Sequence, residues 1–171
     1  ALAFPELADP FYWANHQENR DRSDMYNVAA APGLYINGIH QADALDAAAM
    51  EDAVLADLEL DPGFEMTVEA NFSSSTVPVT VHLTANRTVD LTGHVLFVAI
   101  YEKEVVIDPA PGLNGQTEFH HVFRDRVDNL PALGIIAREA TQHFDLTLTS
   151  GSAGADAYVA VAFVQNDTSH A

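Results

Sequence analysis

The chain predicts an α+β segment over residues 1–61 followed by an all-β antiparallel sandwich over residues 62–171. Three observations carry this expectation. The hydrophobic period changes from 3.6 to 2 residues at Phe64, Asp61-Pro62-Gly63 stops a helix just before it, and Asn37-Gly38 follows a short apolar run as the strongest local signal for a two-residue hairpin.

Asp9-Pro10 opens a polar stretch through Asp24 that carries Tyr12, Trp13, Asn15 and Asn19, which suits a loop and an irregular helix. Leu34-Tyr35-Ile36 is a short strand leading into Asn37-Gly38, and Pro32 opens it; the cis form of an X-Pro bond costs only about 0.5–1 kcal/mol more than trans, and an ordinary turn proline reads the same way. Asp43 can cap a helix running to about residue 59, with Asp43 and Asp46 at its positive end and Ala47, Met50, Val54 and Leu58 as its apolar stripe.

Beyond the break, Phe64, Met66, Val68, Ala70 and Phe72 alternate with polar residues, as do Val77, Val79, Val81 and Leu83. Pro78 suits an edge or a strand start. Residues 95–100 and 158–164 are apolar at successive positions and are placed centrally, while 119–127 and 141–149 supply two further strands. Stretches rich in turn residues at 86–94, 108–116, 128–134 and 150–156 separate the runs. Six or seven antiparallel strands of this length make an immunoglobulin-like sandwich.

Composition excludes several functions. Lys+Arg 7 against Asp+Glu 25 gives a formal charge of −18, and Lys103 is the only lysine, so phosphate backbones and anionic membrane surfaces are repelled. With no cysteine there is no disulfide, no thiolate chemistry and no zinc site of the cysteine type. No apolar run reaches the roughly 18–20 residues that a membrane helix needs. Ala1-Leu2-Ala3-Phe4-Pro5 lacks a charged region ahead of it and reads as the end of a buried strand, as though the chain began within a domain.

Chemistry is sparse. Ser73-Ser74-Ser75 lacks the strand–turn–helix context of a nucleophile, the carboxylates are too spread to single out a catalytic pair, and Asp108, Asp125, Asp128 and Asp156 lack calcium-loop spacing. Neither a catalytic constellation nor a cofactor is expected. Of the eight histidines, His82 and His143 fall on the polar faces of their strands, and His120-His121 put one ring on each face of theirs. Neighbouring strands could bring His82, His120, His121 or His143 together on a metal ion, though scattered histidine more often means exposed or hydrogen-bonded rings. Asn71, Asn86 and Asn166 open Asn-x-Ser/Thr sequons, possible glycosylation positions if the protein is exported in an organism that uses them.

Two sets of motifs resemble a known family. Asp9-Pro10-Phe11-Tyr12, Asn15, Glu18-Asn19-Arg20, Met25-Tyr26-Asn27-Val28, Pro32 and Asn37-Gly38 resemble the thioredoxin-like half of the outer-membrane-protein-28-like family. Val98-Ala99-Ile100-Tyr101-Glu102, Asn114-Gly115, His120-His121-Val122-Phe123-Arg124 and residues 161–166 are similar to its β-sandwich half. The resemblance implies a bacterial envelope or secreted protein, with Ala1–Phe4 as a thioredoxin-type strand and any Cys-x-x-Cys before residue 1.

Three functional expectations follow. The first is a non-enzymatic protein, secreted, at the cell surface or in the periplasm, that serves as a structural or interaction subunit of an envelope assembly or extracellular filament. A protein partner or a second copy would cover its hairpin edge and the apolar face of the 43–59 helix. The second is a fragment of a thiol–disulfide oxidoreductase with cysteines upstream, and the third a histidine-based metal-binding envelope protein.

Overall fold

The computed structural model describes residues 15–28, 34–40, 46–111 and 115–168. Antiparallel β-sheet dominates it, with two α-helices in the first third. The Pro32 position and the Asp43 cap lie outside the described residues.

Helix α1 spans His16–Met25 and carries no apolar stripe in HQENRDRSDM. It is a regular ten-residue helix where an irregular one was expected. Strands β1 (Tyr35–Ile36) and β2 (Ile39–His40) pair as a hairpin, with Ile36 opposite Ile39. Asn37 and Gly38 have φ of 47° and 76°, the double left-handed conformation of the turn that matches strand twist.

Helix α2 spans Ala47–Leu58. Its cap is Asp46, whose carboxylate accepts from the N–H groups of Ala48 (3.1 Å) and Ala49 (3.0 Å), a contact worth about 1 kcal/mol. After it, Asp61 accepts from Gly63 N–H at 2.8 Å and is clasped by Arg87. Gly63 sits at φ 81°, and a Cβ there would lie 2.7 Å from Arg87 and Val89 atoms, so this corner requires glycine.

The remainder forms two three-stranded antiparallel sheets and a small two-stranded one. Strands β3 (Phe64–Ala70), β4 (Thr76–Ala85) and β9 (Thr141–Thr149) make one sheet with β4 central. Strands β6 (His94–Val106), β7 (Glu118–Arg126) and β10 (Tyr158–Asn166) make the second with β6 central. Short strands β5 (Val89–Asp90) and β8 (Ile135–Ile136) pair with each other. β5 falls in a stretch expected to be loop, because two residues are too few to show a period.

The inner faces of the two large sheets share one core. Val77, Val79, Val81 and Leu83 of β4 meet Leu96, Val98 and Ile100 of β6, with Phe64, Met66, Phe144 and Val164 packed around them. Burying one such side chain contributes about 1.5–3 kcal/mol.

One expectation needs correcting. The apolar runs at 95–100 and 158–164 suggested two central strands, yet β10 is an edge strand of its sheet. Its outer face is covered from above instead. Phe163 pairs with Phe97 across the strands, ring centroids 4.6 Å apart, and α1 lies over both through Arg22.

Candidate functional site

The outer faces of the two sheets are chemically different, and each brings a set of side chains together. On the β3–β4–β9 sheet, the inward residues of β4 are Val77, Val79, Val81, Leu83 and Ala85, so its outward ones are Thr76, Pro78, Thr80, His82 and Thr84. Register places Thr67, His82 and His143 in one row, and Glu69, Thr80 and Asp145 in the next.

The first row holds two of the sequence-predicted histidines. His82 Nδ1 and His143 Nδ1 are 3.2 Å apart, with ring centroids at 4.5 Å in an edge-to-face arrangement. His143 Nε2 lies 3.0 Å from Asp145 Oδ1, and Thr80 donates its hydroxyl to the same oxygen at 3.0 Å. These hydrogen bonds, from Thr80 first and then His143, hold the Asp145 carboxyl below its ordinary value.

His120 and His121 do not join them. Both are exposed on β7, in the other sheet, with His120 opposite Glu104 and His121 at φ 54°. Of the four candidate histidines, register brings together His82 and His143, because it joins β4 to β9 and leaves β7 in the other sheet. Among the described residues, no group of three His, Cys, Asp or Glu side chains is arranged to hold a metal ion.

The outer face of the β10–β6–β7 sheet is apolar and receives α1. The Arg22 guanidinium stands 4.5 Å from the Phe97 ring centroid, 4.9 Å from Tyr26 and 5.5 Å from Phe163. Its Nη2 donates to the Tyr26 hydroxyl at 3.2 Å, while Nη1 is shut off from solvent with no hydrogen-bond partner among the described residues. Among the described residues, aromatic faces rather than a carboxylate hold this cation. Asn15 donates to the carbonyls of Phe123 and Arg124, and Asp21 pairs with Arg126 at 3.2 Å. Beside α1, a cleft of about 380 Å³ opens between Arg22, Tyr26, Tyr35, Asn37 and Phe163.

At the other end of α1, a cleft of about 530 Å³ is bordered by Asn15, Glu102, Arg124 and the 149–153 loop. Arg124 and Glu102 pair there at 2.7 Å, largely buried. Glu18 and Asp125 approach one another at the helix–sheet junction. Burial raises both carboxyls above their ordinary values; Asp125 pushes Glu18 further up, and Asp128 does the same to Asp125. Sequence reasoning missed these contacts because α1 is polar all round, and nothing in its pattern says which face docks.

A third surface is apolar. No residue of α2 is buried, and Val54, Leu55 and Leu58 are exposed, Leu58 to 74%; Leu60 and Ile39 of the hairpin are also exposed. Of the sequon asparagines, Asn71 and Asn86 are exposed and Asn166 half-buried; Asn71 and Asn166 use their side-chain oxygens to accept the N–H groups of Ser73 and Thr168, each at 3.0 Å. No helix among the described residues is long and apolar enough to cross a membrane.

No protein-family model, curated protein or solved structure matches this chain.

Proposed function

We propose that this is a non-enzymatic interaction protein, secreted or held in the cell envelope, whose contact surface is the outward apolar face of α2 together with the β1–β2 hairpin. In fold terms, we infer an immunoglobulin-like sandwich preceded by part of a thioredoxin-like domain, as in the outer-membrane-protein-28-like family. What supports that inference is the helix–hairpin–helix order over residues 16–58, the two facing three-stranded sheets, and the motif resemblance.

One observation carries the functional reading. α2 has twelve residues and an N-terminal cap, yet buries none of them. Helices below roughly 12–15 residues are marginal alone in water, and their stability in proteins comes from burying an apolar face. Val54, Leu55 and Leu58 face outward with Leu60 nearby, an arrangement suited to burial against another protein. The occupant is either a different envelope protein or a second copy of the chain.

Light scattering after size exclusion, with hydrogen exchange of α2, tests this. Association that protects the α2 amides, and its loss in a Leu55→Asp, Leu58→Asp double variant, is the expected result. A monomer at all concentrations whose α2 amides already exchange as slowly as those of β4 would overturn it.

A further inference from the structure

We propose that His82 and His143 form a two-imidazole site for one divalent transition-metal ion of the copper–nickel–zinc class, on the open face of the β3–β4–β9 sheet. This goes beyond the contact function and does not depend on it.

The geometry is that of a chelate. Two nitrogens each about 2.0–2.1 Å from one ion, at an angle between square-planar and tetrahedral, stand about 2.8–3.4 Å apart. The two Nδ1 atoms are 3.2 Å apart. They reach this spacing because β4 and β9 set His82 and His143 directly opposite each other, both outward, in a regular ladder.

The second observation is what stands behind His143. Its Nε2 faces Asp145 Oδ1 at 3.0 Å, so Nε2 carries the hydrogen and Nδ1 presents its lone pair to His82. Metal-binding histidines almost always donate their other ring N–H to a carboxylate or carbonyl in this way, which orients the ring and raises its basicity. Thr80 in turn fixes the Asp145 carboxylate at 3.0 Å. Asp145 is thus a positioning residue and not a third ligand, which is why the site has two protein ligands and draws the rest of its coordination from solvent.

Without an ion, the close approach of the rings is bridged by the single hydrogen on His82 Nδ1. On binding, His82 gives up that hydrogen to solvent and takes one at Nε2, so its ring stays neutral, and the ion takes its place between the nitrogens. The surroundings favour a cation. Glu65 and Glu69 occupy the outward positions of β3, and no lysine or arginine lies at an outward position of the three strands. Imidazole selects borderline ions over calcium and magnesium, whereas carboxylates would not discriminate this way.

Titration with zinc chloride and copper chloride in excess magnesium, followed calorimetrically, tests the site. One ion per chain is expected, bound more tightly for copper than for zinc. His82→Ala and His143→Ala should each abolish it, Asp145→Asn should weaken it about ten- to a hundredfold, and His120→Ala and His121→Ala should leave it intact. In the unaltered protein, the imidazole resonances of His82 and His143 should shift on zinc addition while those of His120 and His121 do not. The proposal is overturned if neither ion binds, if magnesium displaces them, or if the zinc-induced shifts fall on other histidines.

Discussion

The two large sheets share a core but differ on their far sides. The outward positions of β3, β4 and β9 are threonine, glutamate, histidine, aspartate and one proline, and they are exposed or half-buried. The outward positions of β6 and β10 include Val95, Phe97, Ala99, Val161 and Phe163, and α1 lies across them. The lesson is that a strand's hydrophobic pattern reports how many of its faces are covered, not where it sits in the sheet. β4 is central and alternates; β10 is an edge and does not.

The comparison can be broken most directly at Phe97. If α1 truly covers this ring, Phe97→Ala should cost about 3–5 kcal/mol in urea unfolding, the range for a core aromatic. A cost no larger than that of a surface change would mean the two outer faces are alike. Next in size is Arg22→Ala, which removes a desolvated cation from three aromatic rings and should cost about 1–2 kcal/mol, with faster amide exchange across α1 than across β4.

The two faces should also answer pH in opposite directions. Glu18 of α1 and Asp125 of β7, where the helix meets the sheet, have raised carboxyl values, so the folded state binds protons more tightly than the unfolded one there. Their ionisation lowers stability as pH rises from the ordinary carboxyl value through the raised folded one. Glu18→Gln should therefore raise the urea midpoint at neutral pH, and that advantage should vanish in acid. Asp145, on the open face, is lowered, so its contribution is present above the ordinary aspartate value and is lost as pH falls through the folded one. Asp145→Asn should lower the midpoint at neutral pH, with no difference from the unaltered protein once Asp145 is protonated. The same sign for both variants would remove this contrast. The smallest effect is expected at Thr67→Ala, within about 0.5 kcal/mol, because its side chain faces solvent.

Much of this was legible in residue order. Alternation located β3 and β4 and assigned their inner faces as the structure has them, residues 141–149 were expected as a further strand and form β9, and Asn37-Gly38 marked its hairpin. The stripe from Ala47 to Leu58 located α2, whose cap is Asp46, one of the two aspartates expected at its positive end. The polar-face placement of His82 and His143 was also available. Their adjacency was not, since pairing register between strands sixty residues apart leaves no local mark. α1 was the least legible element, because its docking uses Asn15, Glu18 and Arg22, residue types that equally suit a solvated helix.

By itself, the sequence located the long strands and helix α2, turned the apolar residues of β3 and β4 inward, and, with charge −18 and no cysteine, offers these residues no thiol and repels phosphate backbones. These follow from local periodicity and from composition, which need no knowledge of neighbours. Only the tertiary structure decided that β10 is an edge, that α1 closes the face above Phe97 and Phe163, and that two imidazoles meet at 3.2 Å. Those are long-range facts, set by how elements distant in sequence minimise exposed apolar area and satisfy their hydrogen bonds together.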